Sequence, residues 1–378
     1  MPASQDAANK AVKRIISATT PVVTIEDAKI LLAAPKRTLM MEKLLAVHFN
    51  GTADYENALK HAKVAFDGEK SAENAKNIAL MYRKSKQLDE GIAFCKAQEK
   101  VMDPISFNDV LSMLYWDAKD DAAAAQHGDA SLALKDQATP PGPALTPKLN
   151  TYDPEKPKQN LIVFSLWGTD ARYIAGAQNN VVVARYMYPG WTCRFYVDRS
   201  VPDKALATLL NLGAQVLVAP KSMPAAEYGL FWRFLVEDDQ NVALYLCRDA
   251  DSVMNIKERA AVEDWLASGK AFHLMRDLPI HAELILAGMW GAHRGNIGNM
   301  RKRIVDHVTG GTKKINNKIT DQEFLRMKIW PIVKQNVLTH SSHLSFGGPH
   351  PFREEFRLPK TYHIGQNDWV HHRPKKKA

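Results

Sequence analysis

The sequence predicts an α + α/β chain, with N-terminal helical hairpin repeats followed by a mainly parallel sheet domain. Three observations lead to that expectation. A pattern of apolar and small residues recurs every 33 residues in the first part, six prolines gather between residues 137 and 160, and beyond them short β-rich runs alternate with helical ones.

At 378 residues the chain is long enough to bury two cores. No apolar run approaches the roughly 18 to 20 residues of a membrane span, and no signal-peptide pattern is present, so the expected location is cytoplasmic. Cys95, Cys193 and Cys247 lie far apart and form no C-x-x-C pair. That spacing excludes a disulfide framework and a thiolate zinc site, and buried, reduced thiols are expected. Of 50 Lys plus Arg and 41 Asp plus Glu, residues 1–136 hold 18 and 19, which leaves 32 against 22 for residues 137–378. The basic excess belongs to the second part and points to an anionic partner there.

In residues 1–136, Leu45, Ala46, Phe49 and Ala58 are matched by Ile78, Ala79, Tyr82 and Gly91, then by Leu111, Ser112, Tyr115 and Ala124. The first three of each set share helical spacing, and the fourth is small where a second helix must approach. The pattern resembles the tetratricopeptide repeat over roughly residues 40–135. It implies helix hairpins that contact a protein partner or mediate self-association. Residues 137–160, "QATPPGPALTPKLNTYDPEKPKQN", read as an extended, stiff linker.

Strands are expected at "LIVFSLW" (161–167), "CRFYV" (193–197), "AQVLVA" (214–219) and "VALYLC" (242–247). "AGAQNNVVVARYMY", "PDKALATLLNLG" and "AAEYGLFWRFLVEDD" fit amphipathic helices between them. This alternation implies βαβ units, and ligands of such open sheets bind beyond the carboxyl ends of the strands. There the fourth strand runs into Arg248, Asp249 and Asp251. Residues i and i+2 of a strand face one side, so the two carboxylates converge. Their repulsion is relieved by a divalent cation placed between them and polyanionic ligand groups, and oxygen ligands suit Mg²⁺ or Mn²⁺. The plainer reading has Asp251 or Ser252 capping the helix in "NIKERAAVEDWL".

Taken with "AFHLMRDLPIHAELILAGMWGAHRG", "DQEFLRMKIWP" and a late His, residues 160–370 resemble bacterial nucleotide-sugar glycosyltransferases of the GT-A type. The resemblance implies a GT-A-like, Rossmann-like domain over 161–370. Such a domain moves a sugar from a nucleoside diphosphate donor to a glycan, lipid or protein acceptor with Mn²⁺ or Mg²⁺. It implies Asp249 near the ribose or reaching the metal through water, and Asp251 as a direct metal ligand. Ser165, Trp167, Thr169 and Arg172 fall where the family seats base and ribose, and Arg233 where it often places a cation near the donor. Asp277, His281 and Trp290 fall in the acceptor segment, where "GMWG" would allow the backbone to approach the ligand closely. Glu283 is the candidate catalytic acid or base there, a base being needed only for an inverting reaction. His340 is the implied further metal ligand, with His343 second, although Ser341 stands where the family has Asp. His363 and Gly365 of "YHIGQ" match its closing segment over the phosphates.

Two competing expectations stand beside this one. "DADSV" also fits a haloacid-dehalogenase-type phosphohydrolase, but the nucleophilic Asp of that fold ends its first strand rather than its fourth. A non-enzymatic repeat scaffold with a degenerate second domain predicts no metal-dependent donor binding. "GGTKKINNK" lacks phosphate-loop spacing and reads as a loop able to order over a bound donor. The basic tail, 371–378, is expected to graze an anionic membrane at the inner face. No basic, aromatic-interleaved stripe supports nucleic-acid binding.

Overall fold

The computed structural model describes residues 4–18, 22–310, 320–359 and 362–367. The chain divides into two units, Met1–Leu134 and Lys135–Ala378.

The first unit is helical: α1 (Gln5–Ser17), α2 (Ile25–Leu32), α3 (Leu39–Gly51), α4 (Tyr55–Gly68), α5 (Ala72–Lys84), α6 (Leu88–Ala97), α7 (Pro104–Asp117) and α8 (Asp121–Gln137). Short polar residues start these helices. The side chains of Thr38, Asp54, Ser71 and Asp103 each accept a hydrogen bond from the backbone N–H three residues on, and Thr24 forms a full capping box with Asp27. The 33-residue spacing becomes three helix hairpins, α3–α4, α5–α6 and α7–α8. Ala58, Gly91 and Ala124 each stand fourth in the second helix and are buried. A Cβ on Gly91 would lie 3.0 Å from both Leu114 Cδ2 and Tyr82 Cβ, so the small residue there is required by contact.

The second unit is α/β. Its strands are β1 (Asn160–Leu166), β2 (Thr192–Val197), β3 (Gln215–Val218), β4 (Leu244–Cys247), β5 (Phe272–Arg276), β6 (Trp290–His293) and β7 (Val337–Ser341). They form one sheet in the order β3-β2-β1-β4-β6-β5-β7, with four of its six pairings parallel and β6 antiparallel to both neighbours. Helices α9 (Ala171–Met187), α10 (Asp203–Asn211), α11 (Ala225–Tyr228), α12 (Ile256–Ala267), α13 (Met300–Gly310), α14 (Thr320–Phe324) and α15 (Trp330–Val333) complete it. From β1 the chain leaves toward β2 and β3, then returns to lay β4 on the other side of β1. That reversal opens a crevice at the carboxyl ends of β1 and β4.

Two local expectations change. "AAEYGLFWRFLVEDD" forms one α-helical turn and then a ten-residue 3₁₀ segment, Gly229–Asp238. At three residues per turn, Phe231, Phe234 and Glu237 share one face and Arg233 and Val236 another. All five are buried, because the segment packs on more than one side. The proline-rich linker is docked along its own unit and is not a free spacer. Leu145 N donates to Gln335 Oε1 (3.0 Å), Lys148 N to Asn296 Oδ1 (2.8 Å) and Asn150 N to His293 Nδ1 (2.9 Å). The three cysteines are buried and unpaired, and burial pushes the Cys95 and Cys193 thiols up to about 12. Among the described residues no helix is long and apolar enough to cross a membrane. The segment "GGTKKINNK" from residue 311 on and the tail 371–378 lie outside the described residues.

Candidate functional site

A cavity of about 810 Å³ occupies the crevice. One wall is the end of β1 and the turn into α9, Ser165–Asp170. The turn after β4, Asp249–Asp251, also lines the cavity, as do Ala225, Ala226, Glu227, Gly229, Leu230, Asp321 and Gln322. Strand β4 stops at Cys247, so the carboxylates project from a turn and not from strand pleats. They still converge on the cavity, each held differently.

Arg233 organises the first of them. Its side chain is 6% exposed and forms ion pairs with Asp249 and, at 2.9 Å, with Asp321 Oδ2. Nη1 also donates to the Arg248 carbonyl at 3.1 Å, and the Arg233 backbone N–H donates to Ser165 Oγ at 3.0 Å. Burial alone would lower the Arg233 pKa, but the two carboxylates raise it, so the guanidinium stays charged. Asp321 is pushed up to about 6 by burial, with Asp249 adding to the rise and Arg233 opposing it.

Asp251 lies deeper than Asp249, 16% against 47% exposed in the side chain. Burial raises its pKa, and neighbouring Asp249 raises it further. Arg172 Nε stands 3.6 Å from Asp251 Oδ2 and has no hydrogen-bond partner of its own, while Asn367 Nδ2 donates to that same oxygen at 2.8 Å. Two glycines fix the turn. A Cβ on Gly176 of α9 would sit 2.8 Å from Asp251 Cα, and one on Gly288 would sit 2.6 Å from Asp249 Cγ. The glycine in "GMWG" therefore lets backbone approach Asp249, where the sequence suggested approach to a ligand. Gly288→Ala is expected to push the Asp249 carboxylate off Arg233 and to weaken the metal-dependent nucleotide binding proposed below by on the order of 10-fold or more. A calorimetric titration checks this, and an unchanged affinity would refute the clamp.

Of the residues singled out by sequence, Ser165, Trp167, Thr169, Arg233, Asp249 and Asp251 line this cavity, and Arg172 borders it through Asp251. Trp167 lies over Gly229, where a Cβ would meet its ring at 3.1 Å, and meets Trp232 edge-on.

The remaining candidates are placed elsewhere. Trp290 begins β6 and is fully buried against Tyr245 and Phe234, so it offers no surface to an acceptor. The buried Asp277 carboxylate is taken by Lys257, Ser342 and the Ile364 N–H. His281 Nδ1 accepts from the Asp277 N–H at 3.0 Å, and its ring abuts His363. Glu283 pairs with Arg326 and Lys135 at 3.3 and 3.5 Å and does not line the cavity. His363 and Gly365 belong to a turn over Met289, and from that segment it is Asn367 that reaches the acid pair. His340 is fully buried on β7 beside Asp264, His273 and His350. Among the described residues its ligand atom groups with those of Asp264 and His350, not with Asp251.

Sequence reasoning gave no role to Asp321, Gly176 or Asn367. Asp321 opens the quoted "DQEFLRMKIWP", yet no periodicity ties it to a carboxylate 72 positions earlier.

No family model and no curated protein matches this chain. Among solved structures, it is similar to a mutant of an O-GlcNAc transferase from Thermobaculum terrenum, at 16% identity and a TM-score of 0.40. The likeness covers 64% of this chain and 46% of that one, so the chain spans less than half of that structure.

Proposed function

We propose that residues 135–378 form a metal-dependent glycosyltransferase of the GT-A type, which moves a sugar from a nucleoside diphosphate sugar to a glycan, lipid or protein acceptor. The observation that carries this reading is the acid pair Asp249 and Asp251, facing a cavity at the switch point between β1 and β4. Its volume, about 810 Å³, is that of a small-molecule site. The pair suits Mn²⁺ or Mg²⁺, since two oxygen donors converge and burial and mutual repulsion hold the Asp251 pKa up until a cation relieves them. Asp251 would be the direct ligand, with Asp249 toward the ribose or bound through water. A cation there supplies charge neutralisation for a departing nucleoside diphosphate.

The chain's own residues account for the rest of the site. Arg172 Nε, buried without a hydrogen-bond partner, offers a donor to phosphate oxygens beside Asp251. Trp167, seated on Gly229, offers an aromatic face for a base. Arg233 holds Asp249 in place while Asp321 balances its charge, so Asp249 need not reorganise when a ligand arrives. The helical first unit is read as a docking element for a protein partner or a second copy of the chain.

A panel of nucleotide sugars, titrated with and without Mn²⁺ and followed for slow hydrolysis, tests the reading. At least one donor is expected to bind only with metal, and Asp251→Ala is expected to lower turnover by on the order of 100-fold or more. Failure of every donor to bind with metal, or parental turnover by Asp251→Ala, would sink it.

A further inference from the structure

A second group of metal-ligating side chains lies outside the cavity just described. Asp264 in the last turn of α12, His340 on β7 and His350 beyond it bring their ligand atoms within 4.8 Å of one another. We propose that Asp264, His340 and His350 form a binding site for a zinc-class divalent cation, separate from the acid pair and not dependent on the transferase reading.

The spacing is the first argument. His340 Nε2 and Asp264 Oδ2 are 3.4 Å apart. That is long for an N–H···O hydrogen bond, which runs about 2.7–3.2 Å. It equals the edge of a tetrahedron whose centre bonds nitrogen and oxygen at about 2.0–2.1 Å, an edge of roughly 3.3–3.4 Å.

Support from the surrounding residues is the second. The other nitrogen of His340, Nδ1, lies 3.0 Å from His273 Nε2. His273 is fully buried and stacked on Trp265 at 5.6 Å and 8°. With Nδ1–H donating to His273, the Nε2 lone pair of His340 faces Asp264, the outer-shell pattern that orients metal-bound histidines. The second oxygen of Asp264, Oδ1, accepts from Arg353 Nε at 3.0 Å and from Nη2, which directs Oδ2 to the site. His350 is exposed in its side chain but fixed in its backbone. Its N–H donates to the Thr339 carbonyl at 2.7 Å, and its carbonyl accepts from the Ser341 N–H at 3.2 Å. Side-chain rotation alone therefore carries its ring onto the ion, and the surface position leaves the fourth place to solvent.

Two imidazoles and one carboxylate favour Zn²⁺ over Mg²⁺ or Mn²⁺, which prefer all-oxygen sets. The bound ion would fasten α12, β7 and the chain around His350 together, and binding only the folded state raises its stability.

The test uses the full chain, stripped with a chelator and titrated with Zn²⁺ against a chromophoric competitor. One Zn²⁺ per chain is expected, with a higher melting temperature in Zn²⁺ and none in Mg²⁺. His350→Ala, at an exposed position, is expected to keep the fold, weaken Zn²⁺ at least ~10-fold and abolish the thermal shift. Asp251→Ala is expected to keep both, which separates this site from the acid pair. Absence of Zn²⁺ binding overturns the proposal. So does binding that survives His350→Ala, that is lost in Asp251→Ala, or that disappears only when His371 and His372 of the tail are replaced by Ala.

Discussion

Arg233→Met is expected to destabilise the sheet unit by about 3–5 kcal/mol at pH 8 and to remove the proposed metal-dependent nucleotide binding with it. Methionine fills much the same space, so the loss comes from charge. Asp321 is 4% exposed in its side chain and pairs with Arg233; without that guanidinium a buried carboxylate is left uncompensated. Its pKa already stands at about 6 with the arginine present. That value lies above the unfolded reference of about 3.9. A carboxyl whose folded pKa is raised gives its full share of stability below the unfolded value and loses it as pH rises through the folded one. The cost of Arg233→Met should accordingly be smaller at pH 5, where Asp321 is largely protonated, than at pH 8. Arg233→Lys should recover little, because one ammonium cannot span Asp249, Asp321 and the Arg248 carbonyl as the guanidinium fork does. Urea midpoints at the two pH values check both statements. A loss below 1 kcal/mol at pH 8, or one that grows at pH 5, contradicts the account.

The second large effect is acid lability. His281 is held down to about 3 by burial, with neighbouring His363 adding to the fall, and burial holds His293 down to about 4. His293 accepts the Asn150 N–H at Nδ1, and His281 accepts that of Asp277, so both fold around a neutral ring. A folded pKa below the unfolded value of about 6.5 gives stability that is present above pH 6.5 and is lost as pH falls toward the folded pKa. At pH 5 each histidine is expected to withdraw about 2 kcal/mol, 1.5 units at about 1.36 kcal/mol per unit. Melting temperatures between pH 7.5 and 4.5 should fall steeply, and His293→Asn should flatten part of the slope. A melting temperature level across that window would contradict the burial argument.

The contrast between what could be read from sequence and what could not follows from length scale. Strands β1 to β4 and the three hairpins were legible because short β-rich apolar runs and a 33-residue period are written along the chain. The acid pair was legible because a strand that ends in charge at an open sheet's carboxyl edge has few other places to be. After β4 the chain no longer advances in order. It lays β6 antiparallel between β4 and β5, which turns "GMWG" from a ligand loop into the entry of an interior strand and carries Trp290 into the core. No pattern in residues 277–290 announces that insertion. His340 was singled out as a metal ligand to join Asp251, but its depth and its neighbours depend on register with β5, a long-range pairing that no local signal encodes.

The glycine clamp has a consequence for how this cavity can change over time. With Gly176 pressed on one part of the acid turn and Gly288 on another, neither position has room for a side chain. Diversification of what the cavity accepts is thereby confined to the rest of its lining, where Ala225, Ala226 and Leu230 present small or flexible groups. Libraries built to alter ligand preference should be concentrated there, leaving residues 248–252, 176 and 288 constant.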